Sequence, residues 1–272
     1  MSFDMAKSVN RPWEGYMEPF QIFGNLYFVG STFVSSHVID TGEGLILLDS
    51  GYPQCTYLIT EGMRKLGLDP MNIKYILHSH GHYDHIGGTR ALVELTGAKT
   101  IIGRDDVDYV NGKVDLTWAK ELGFEFHQAF EPDIVLDDGD VFECGSTKIL
   151  AVHTPGHTPG VMSYFFNVTD GKNTYTAGML GGAGMNSMRL SFLEKYGLSH
   201  EHRLAFPHSL EKVRKIHVDI AIGNHPGDVN TAGKYELMKN GAAENPFIDP
   251  AAWGNRLDYC KKQYEEMLAS GK

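Results

Sequence analysis

The sequence predicts an α/β layered fold, with helices outside a paired-sheet core, on three observations. Strand-like runs and helix-period segments interleave in both halves of the 272-residue chain. Several short apolar runs end in loops rich in histidine and glycine. The length suits one large domain or two small ones, burying most of the apolar surface that the unfolded chain exposes.

The elements follow in order. Residues 20–29, 34–40 and 45–49 read as strands, with Thr41-Gly42-Glu43-Gly44 as a hairpin loop. A helix-period segment covers 54–66, and 73–77 is the strand behind the first histidine loop. Residues 87–96 read as helical, 99–102 as extended and 105–122 as mostly helical. The second half repeats the style, with strands near 148–152, 161–166 and 174–177 and helices near 204–215, 232–239 and 250–269.

Composition removes several function classes. Hydrophobic residues make up 42% of the chain, and no disordered tract, low-complexity segment or strong repeat is visible. A formal charge of −10 argues against a nucleic-acid partner, because phosphate contacts need concentrated Lys and Arg. No run approaches the length of a membrane span, so no membrane partner is expected either. The first twenty residues lack the basic start and apolar core of a secretory signal. Cys55, Cys144 and Cys260 form an odd, widely spaced set without a CxxC pair. Both features read as a cytoplasmic protein with reduced thiols, although a leader already removed would leave no trace. Oligomeric state is not legible.

The densest chemistry is His78-Ser79-His80-Gly81-His82-Tyr83-Asp84-His85, four histidines and one carboxylate in eight residues, followed by Gly87-Gly88. Imidazole and carboxylate are ligands that zinc accepts, though iron and manganese use them too. Alternate residues of an extended segment project to one side, so His80 and His82 can grip one ion together. Asp84 and His85 come after the chain turns and can address a neighbouring position. The spacing suggests two metals. A second cluster, His153-Thr154-Pro155-Gly156-His157-Thr158-Pro159-Gly160, again follows a strand, and its Pro-Gly turns hold His157 on a stiff loop. In a third, the run Ile220-Ala221-Ile222 ends in Gly223-Asn224-His225-Pro226. Each of the last two is weak alone. Three strand ends presenting histidine together point to one site, because sites in layered α/β folds collect there.

These residues together resemble the metallo-β-lactamase superfamily of binuclear zinc hydrolases, over about residues 19–237. The pieces that carry the likeness are Leu47-Leu48-Asp49-Ser50-Gly51, the His80-x-His82-x-Asp84-His85 loop, Pro155-Gly156-His157-Thr158 and Gly223-Asn224-His225-Pro226. The resemblance implies a four-layer αββα sandwich with metals at one edge of the sheets. It implies one such domain across residues 1–272, with a C-terminal helical extension at about 245–272 that packs on the body or meets another subunit. Carried over by position, His80, His82 and His157 would hold one zinc, and Asp84, His85 and His225 a second. Asp49 matches the family's buried acid behind the histidine loop, with a turn-capping Asp as the equally weighted alternative. His78 reads as supporting or structural, and His153 as an ordinary strand-end histidine.

Relatives such as glyoxalase II enzymes, lactonases and RNA-processing nucleases are similar in having a metal-bridging Asp where this chain has Gly178-Met179-Leu180. Three histidines on one metal and Asp-His-His on the other resemble the third subclass of metallo-β-lactamases. That subclass is normally exported and carries serines for a substrate carboxylate, whereas Gly178 to Gly184 offers none. The resemblance implies a metal-dependent hydrolase acting on a small-molecule amide or cyclic acyl carbonyl through a metal-bridging hydroxide, with Asp84 directing that nucleophile and shuttling its proton. Lactone, thioester or other ester hydrolysis is the alternative activity, and a non-catalytic metal-binding protein the alternative class. Residues 178–204, rich in methionine, read equally as a lid or a packed connection, and residues 31–36, with Phe33, as the facing wall.

Overall fold

The segment Leu45-Ile46-Leu47-Leu48 is apolar throughout because both of its faces are covered. Ile46 and Leu48 join the cluster between the sheets, while Leu45 and Leu47 join a cluster beneath helices. The structure, a computed structural model, describes residues 10–271; residues 1–9, part of the stretch read for a leader, lie outside the described residues.

The first half of the chain builds a seven-stranded sheet in the order β1 to β7. These strands are β1 (Phe20–Phe23), β2 (Leu26–Phe28), β3 (His37–Asp40), β4 (Leu45–Leu48), β5 (Ile73–Leu77), β6 (Lys99–Gly103) and β7 (Ile134–Leu136). Pairing is antiparallel from β1 to β4 and parallel from β4 to β7. The second half supplies β8 (Val141–Cys144), β9 (Thr147–His153), β10 (Met162–Thr169), β11 (Thr174–Leu180) and β12 (Ile220–Gly223). They form a five-stranded sheet in the order β12-β11-β10-β9-β8, with β11 and β12 parallel.

The sheets meet through Phe28, Ile39, Ile46 and Leu77 on one side and Ile149, Tyr164, Phe166 and Met179 on the other. Helices Thr56–Lys65 and Thr89–Thr96 cover the outer face of the first sheet through Ile59, Met63 and Leu92. Helices Glu201–Val213 and Pro250–Ala269 cover the second, where Trp253, Leu257, Cys260, Tyr264 and Met267 recur at helical spacing. The C-terminal helix is therefore packed onto the body. The four layers are helix, sheet, sheet, helix. None of the three cysteines forms a disulfide, and among the described residues no helix is long and apolar enough to cross a membrane.

Two readings of the sequence need correction. Residues 105–122 are mostly not helical; only Val107–Val110 forms an α-helix, with short 3-10 turns at Arg104–Asp106 and Lys120–Leu122. Gly112 at φ +80° and Trp118 at φ +70° take left-handed backbone that ends a helix. The stretch 20–29 is a hairpin rather than one strand, because the chain reverses at Gly24 and Asn25 between β1 and β2.

His37 in β3 is buried beside the Phe28 ring, and burial pushes its imidazole down to about 4, against the pull of Asp49. Between about pH 6.5 and 4 the unfolded chain binds a proton there that the folded chain refuses. Folding stability should therefore fall as pH drops through that window, and the fall should flatten in His37→Gln. Urea unfolding of both proteins across the pH series checks this, and identical slopes would remove His37 as a cause.

Candidate metal centre

Five strands end at the same edge of the sandwich, and the loops that leave them carry the polar residues. β4 leads to Asp49, β5 to the His78–His85 loop, β9 to His157, β11 to Gly181–Gly184 and β12 to His225. His82 is extended and stands at the start of the one-turn helix Tyr83–Ile86, which turns Asp84 and His85 away from His80 and His82. The two predicted sets assemble as separate triads. His80, His82 and His157 offer ligand atoms within 4.8 Å of one another, and so do Asp84, His85 and His225. In the first triad His82 Nδ1 stands 2.9 Å from His157 Nε2. In the second, Asp84 Oδ2 lies 3.3 Å from His85 Nε2 and 3.5 Å from His225 Nε2.

The rings are oriented by what their other nitrogens do. His80 Nδ1–H donates to the Gly181 carbonyl at 2.8 Å, and His157 Nδ1–H to the Gly184 carbonyl at 2.8 Å. His225 Nδ1–H donates to the Phe33 carbonyl at 2.9 Å, and His85 Nδ1–H to Asp49 Oδ2 at 2.8 Å. Each bond fixes a tautomer and leaves Nε2 as the lone-pair side, the arrangement metal-binding histidines use. Nε2 of His80 and of His85 are buried without a hydrogen-bond partner. Unpaired buried nitrogens are costly unless something else meets them, and a cation fits these donors. Harder oxygen-rich ions do not match a set of five imidazoles and one carboxylate, whereas zinc does.

Electrostatics agree. Burial, then the neighbouring imidazoles, hold His80 and His82 well below the ordinary histidine value, and burial takes His157 down to about 4. These rings are neutral, as ligands must be. Burial acts to raise Asp84, but His85, His225 and His82 outweigh it and keep the carboxyl far below its usual range. For His85 burial acts downward, yet the carboxylates of Asp84 and Asp49 lift it to about 10. That shift belongs to the metal-free protein and reports how much negative charge faces this ring.

Asp49 is the buried acid behind the histidine loop rather than a turn cap. It sits in the turn after β4 at φ +56°, and its buried carboxylate accepts Ser79 N–H and Ser79 Oγ–H at 2.7 Å each besides His85. His78 is structural: its Nε2 meets Thr89 Oγ1 at 3.2 Å, within a chain that runs through Ser50. His153 bonds the Pro159 carbonyl at 2.7 Å and stays out of both triads. The 178–204 stretch is packed through part of its length: Met179, Met188, Phe192 and Leu193 are buried, while Met185 and Asn186 reach the cavity. Ser31, Ser35 and Ser36 are buried as well, and from this segment it is the Phe33 carbonyl that touches the site.

The triads open into a cavity of about 420 Å³, whose walls also include Trp118, Asn224, Arg256, Tyr259 and Gln263. Sequence reasoning gave none of these a role. Trp118 is held in strained backbone with its ring 5.9 Å from that of His82 and 4.9 Å from that of Phe192. The glycines after β11 are explained by proximity, since a Cβ on Gly182 would lie 2.9 Å from His157 Cδ2.

A two-sheet sandwich that gathers three imidazoles beside an Asp-His-His set at one edge defines the class of metal-dependent hydrolases. The chain belongs to the metallo-beta-lactamase superfamily, whose family model matches residues 29–170. The resemblance read from the motifs, and the αββα architecture it implied, are borne out. The FEZ-1 metallo-beta-lactamase from Legionella gormanii is similar over 94% of this chain and 97% of its own, with 30% identity and a TM-score of 0.86. BJP-1, a subclass B3 metallo-beta-lactamase of Bradyrhizobium japonicum, is similar over 96% and 97%, with 30% identity and a TM-score of 0.82. Among curated relatives, a hydroxyacylglutathione hydrolase of Pelagibacter ubique is 33% identical over 98 residues, 36% of this chain and 33% of that protein. The matches to the first curated relatives span only 31% to 40% of those proteins' lengths.

Breaking the buried Asp49–His85 pair should be expensive in the metal-free protein. Asp49→Asn is expected to cost roughly 3 kcal/mol of stability, read by urea unfolding after chelator treatment. A loss within error of zero would show that the pair does not hold the two loops together.

Proposed function

We propose that the chain is a binuclear zinc-dependent hydrolase of β-lactamase-like chemistry, attacking an amide or cyclic acyl carbonyl of a small molecule, with residues 1–272 working as one domain. The observation that carries this reading is the pair of adjoining triads, the first made of three buried, neutral histidines, with His80, His157, His85 and His225 oriented from behind through Nδ1. The near full-length likeness to FEZ-1 and BJP-1 supports the β-lactam class, and their names supply it. His80, His82 and His157 would hold one ion, and Asp84, His85 and His225 the other. Zinc bound there supplies Lewis acidity and a water acidified toward neutrality.

The chain's own residues do the rest. Asp84 is the one carboxylate in the two triads and lines the cavity in ionised form, so it can accept a hydrogen bond from the attacking water, fix its direction and take its proton. Trp118 and Leu122 give one wall an apolar surface that excludes bulk water from the carbonyl. Asn224, buried and tied through Nδ2 to the Gly181 carbonyl, presents a pre-positioned amide. Arg256 is the one Lys or Arg side chain among the described residues that line this cavity. It spends Nη2 on Asp228 at 2.6 Å and keeps further N–H donors, so it is the group to receive a substrate carboxylate.

The second reading is thioester or other ester hydrolysis, which the partial likeness to hydroxyacylglutathione hydrolase favours. Against it, Gly178-Met179-Leu180 places no carboxylate where a bridging aspartate would stand. Assays of metal-quantified protein with nitrocefin, a lactone and a thioester separate the readings. Turnover of the thioester alone would overturn the first, and a zinc-loaded protein inert to all three would favour a binding protein.

Two outcomes test the roles. Asp84→Asn should lower kcat by roughly 10² to 10⁴-fold with little change in Tm; metal content is measured alongside, and a zinc-loaded variant of full activity would sink the assignment. Arg256→Met should raise KM roughly 10- to 100-fold for substrates bearing a carboxylate. An equal rise with matched neutral esters would mean that Arg256 shapes the wall without reading charge.

A further inference from the structure

Outside both triads lies a carboxylate that the mechanism does not use. Asp106, in the turn after β6, is fully buried and makes no ion pair among those of the described residues. Burial pushes its carboxyl up to about 6, against the pull of three hydrogen bonds. An anion so placed is expensive, and what offsets the cost is specific. Its Oδ2 accepts Gly81 N–H at 2.7 Å and Thr158 Oγ1–H at 2.6 Å, and its Oδ1 accepts Gly160 N–H at 2.7 Å.

The donors identify the purpose. Gly81 lies between His80 and His82, while Thr158 directly follows His157 and Gly160 stands two residues further on. One carboxylate thus joins the two loops that carry the entire first triad, and it touches both within one residue of a ligand. The other ties between these loops sit further back, at Met162 N–H to the Ser79 carbonyl and Tyr164 O–H to the His78 carbonyl, 2.9 and 2.7 Å. The contact of His82 Nδ1 with His157 Nε2 cannot serve once both nitrogens are ligands. Space is cleared for the clasp as well. A Cβ on Gly160 would stand 2.3 Å from Asp106 N and 2.7 Å from Oδ1, so this loop approaches Asp106 only as glycine.

We propose that Asp106 is the positioning residue of the first metal triad: its carboxylate sets the separation of the His80–His82 loop from the His157 loop, so that three ring nitrogens stand at coordinating distance before an ion arrives. The inference rests on the metal-site reading above. It adds a residue that acts on metal affinity without touching metal or substrate. The side-chain chemistry follows from the donor count. Three donors converge on two oxygens, and an asparagine supplies only one acceptor oxygen while setting its NH₂ against an N–H. The hydroxyl of Thr158 can be removed without adding that mismatch, which gives a milder probe.

The test is zinc affinity of the purified full chain, by competition with a chromophoric chelator, together with the visible spectrum of the cobalt-loaded protein and a thermal melt. Asp106→Asn should weaken the tighter-bound zinc by roughly 10- to 100-fold and perturb the cobalt bands, and Thr158→Val should do the same by about tenfold. Leu257→Ala, on the core-facing side of the C-terminal helix, serves as a variant of comparable lost Tm and should shift zinc affinity less than about twofold. If Asp106→Asn does not fold, Thr158→Val carries the measurement. The proposal is overturned if the Asp106 and Thr158 variants bind zinc like wild type, or if Leu257→Ala weakens binding as much as they do. Wild-type protein that binds no zinc would instead sink the metal reading itself, a failure visible before any variant is made.

Discussion

The structure depends on one constraint: imidazole rings must be held in the interior with their lone pairs aimed inward and their N–H groups satisfied behind. Four rings meet it by donating Nδ1–H, three to main-chain carbonyls of Gly181, Gly184 and Phe33 and one to the Asp49 carboxylate. Without these acceptors each ring would turn to find another partner, because a buried unpaired N–H costs on the order of 1–3 kcal/mol. With them, the unsatisfied atoms that remain are the ones a cation can use. Neutrality follows from the same burial, which makes an imidazolium unfavourable wherever no carboxylate faces the ring.

The layered fold is what lets acceptors and rings come from distant parts of the chain. β4 and β5 run parallel in the first sheet, β11 and β12 in the second, so their carboxyl ends reach a common edge. The antiparallel strand β9 ends there too, through its pairing with β10. The two triads come from the loops after β5, β9 and β12, and the groups that orient them from the ends of β4 and β11 and the turn before β3. Hydrophobic pairing between the sheets fixes the separation of these ends, since Leu48 and Leu77 on one side pack in the same cluster as Ala177, Met179 and Ile222 on the other. Packing of the apolar interior thus sets the geometry of a polar site that it scarcely touches.

Legibility in the sequence followed chemistry that is written in side chains. The His80–His85 loop, His157 and His225 were readable because imidazole is rare, and because strand ends announce themselves by apolar runs followed by Gly or Pro. Asp49 was readable only to even odds, since turn-capping and buried support call for the same residue, and here its carboxylate is spent on support. The carbonyls of Gly181, Gly184 and Phe33 were not readable at all; a main-chain acceptor is common to every residue, and only the tertiary approach selects it. Asp106 was hidden by a wrong element, because the apolar spacing of Val107, Val110 and Val114 resembles a helix that Asn111-Gly112 in fact ends. The short strands β7 and β8 escaped for a related reason: three or four residues carry too little periodicity to register.

The glycine-rich stretch after β11 shows how metal support and substrate recognition compete for the same space. A serine there would offer a hydroxyl to a substrate, but at Gly182 its Cβ alone would crowd both His157 and His80. The chain has given this stretch to orienting rings from its carbonyls. Polar side chains reach the cavity from elsewhere, and the helix Pro250–Ala269 brings Arg256, Tyr259 and Gln263 to its wall. That helix is itself tied to the second triad, since Asp228 accepts from Arg256 through one oxygen and from the His225 main-chain N–H through the other. If the proposed roles hold, ligands on sheet ends and recognition on a packed helix are separate elements joined at one carboxylate, so the wall that reads the substrate can change without moving a ligand, provided Asp228 keeps both bonds.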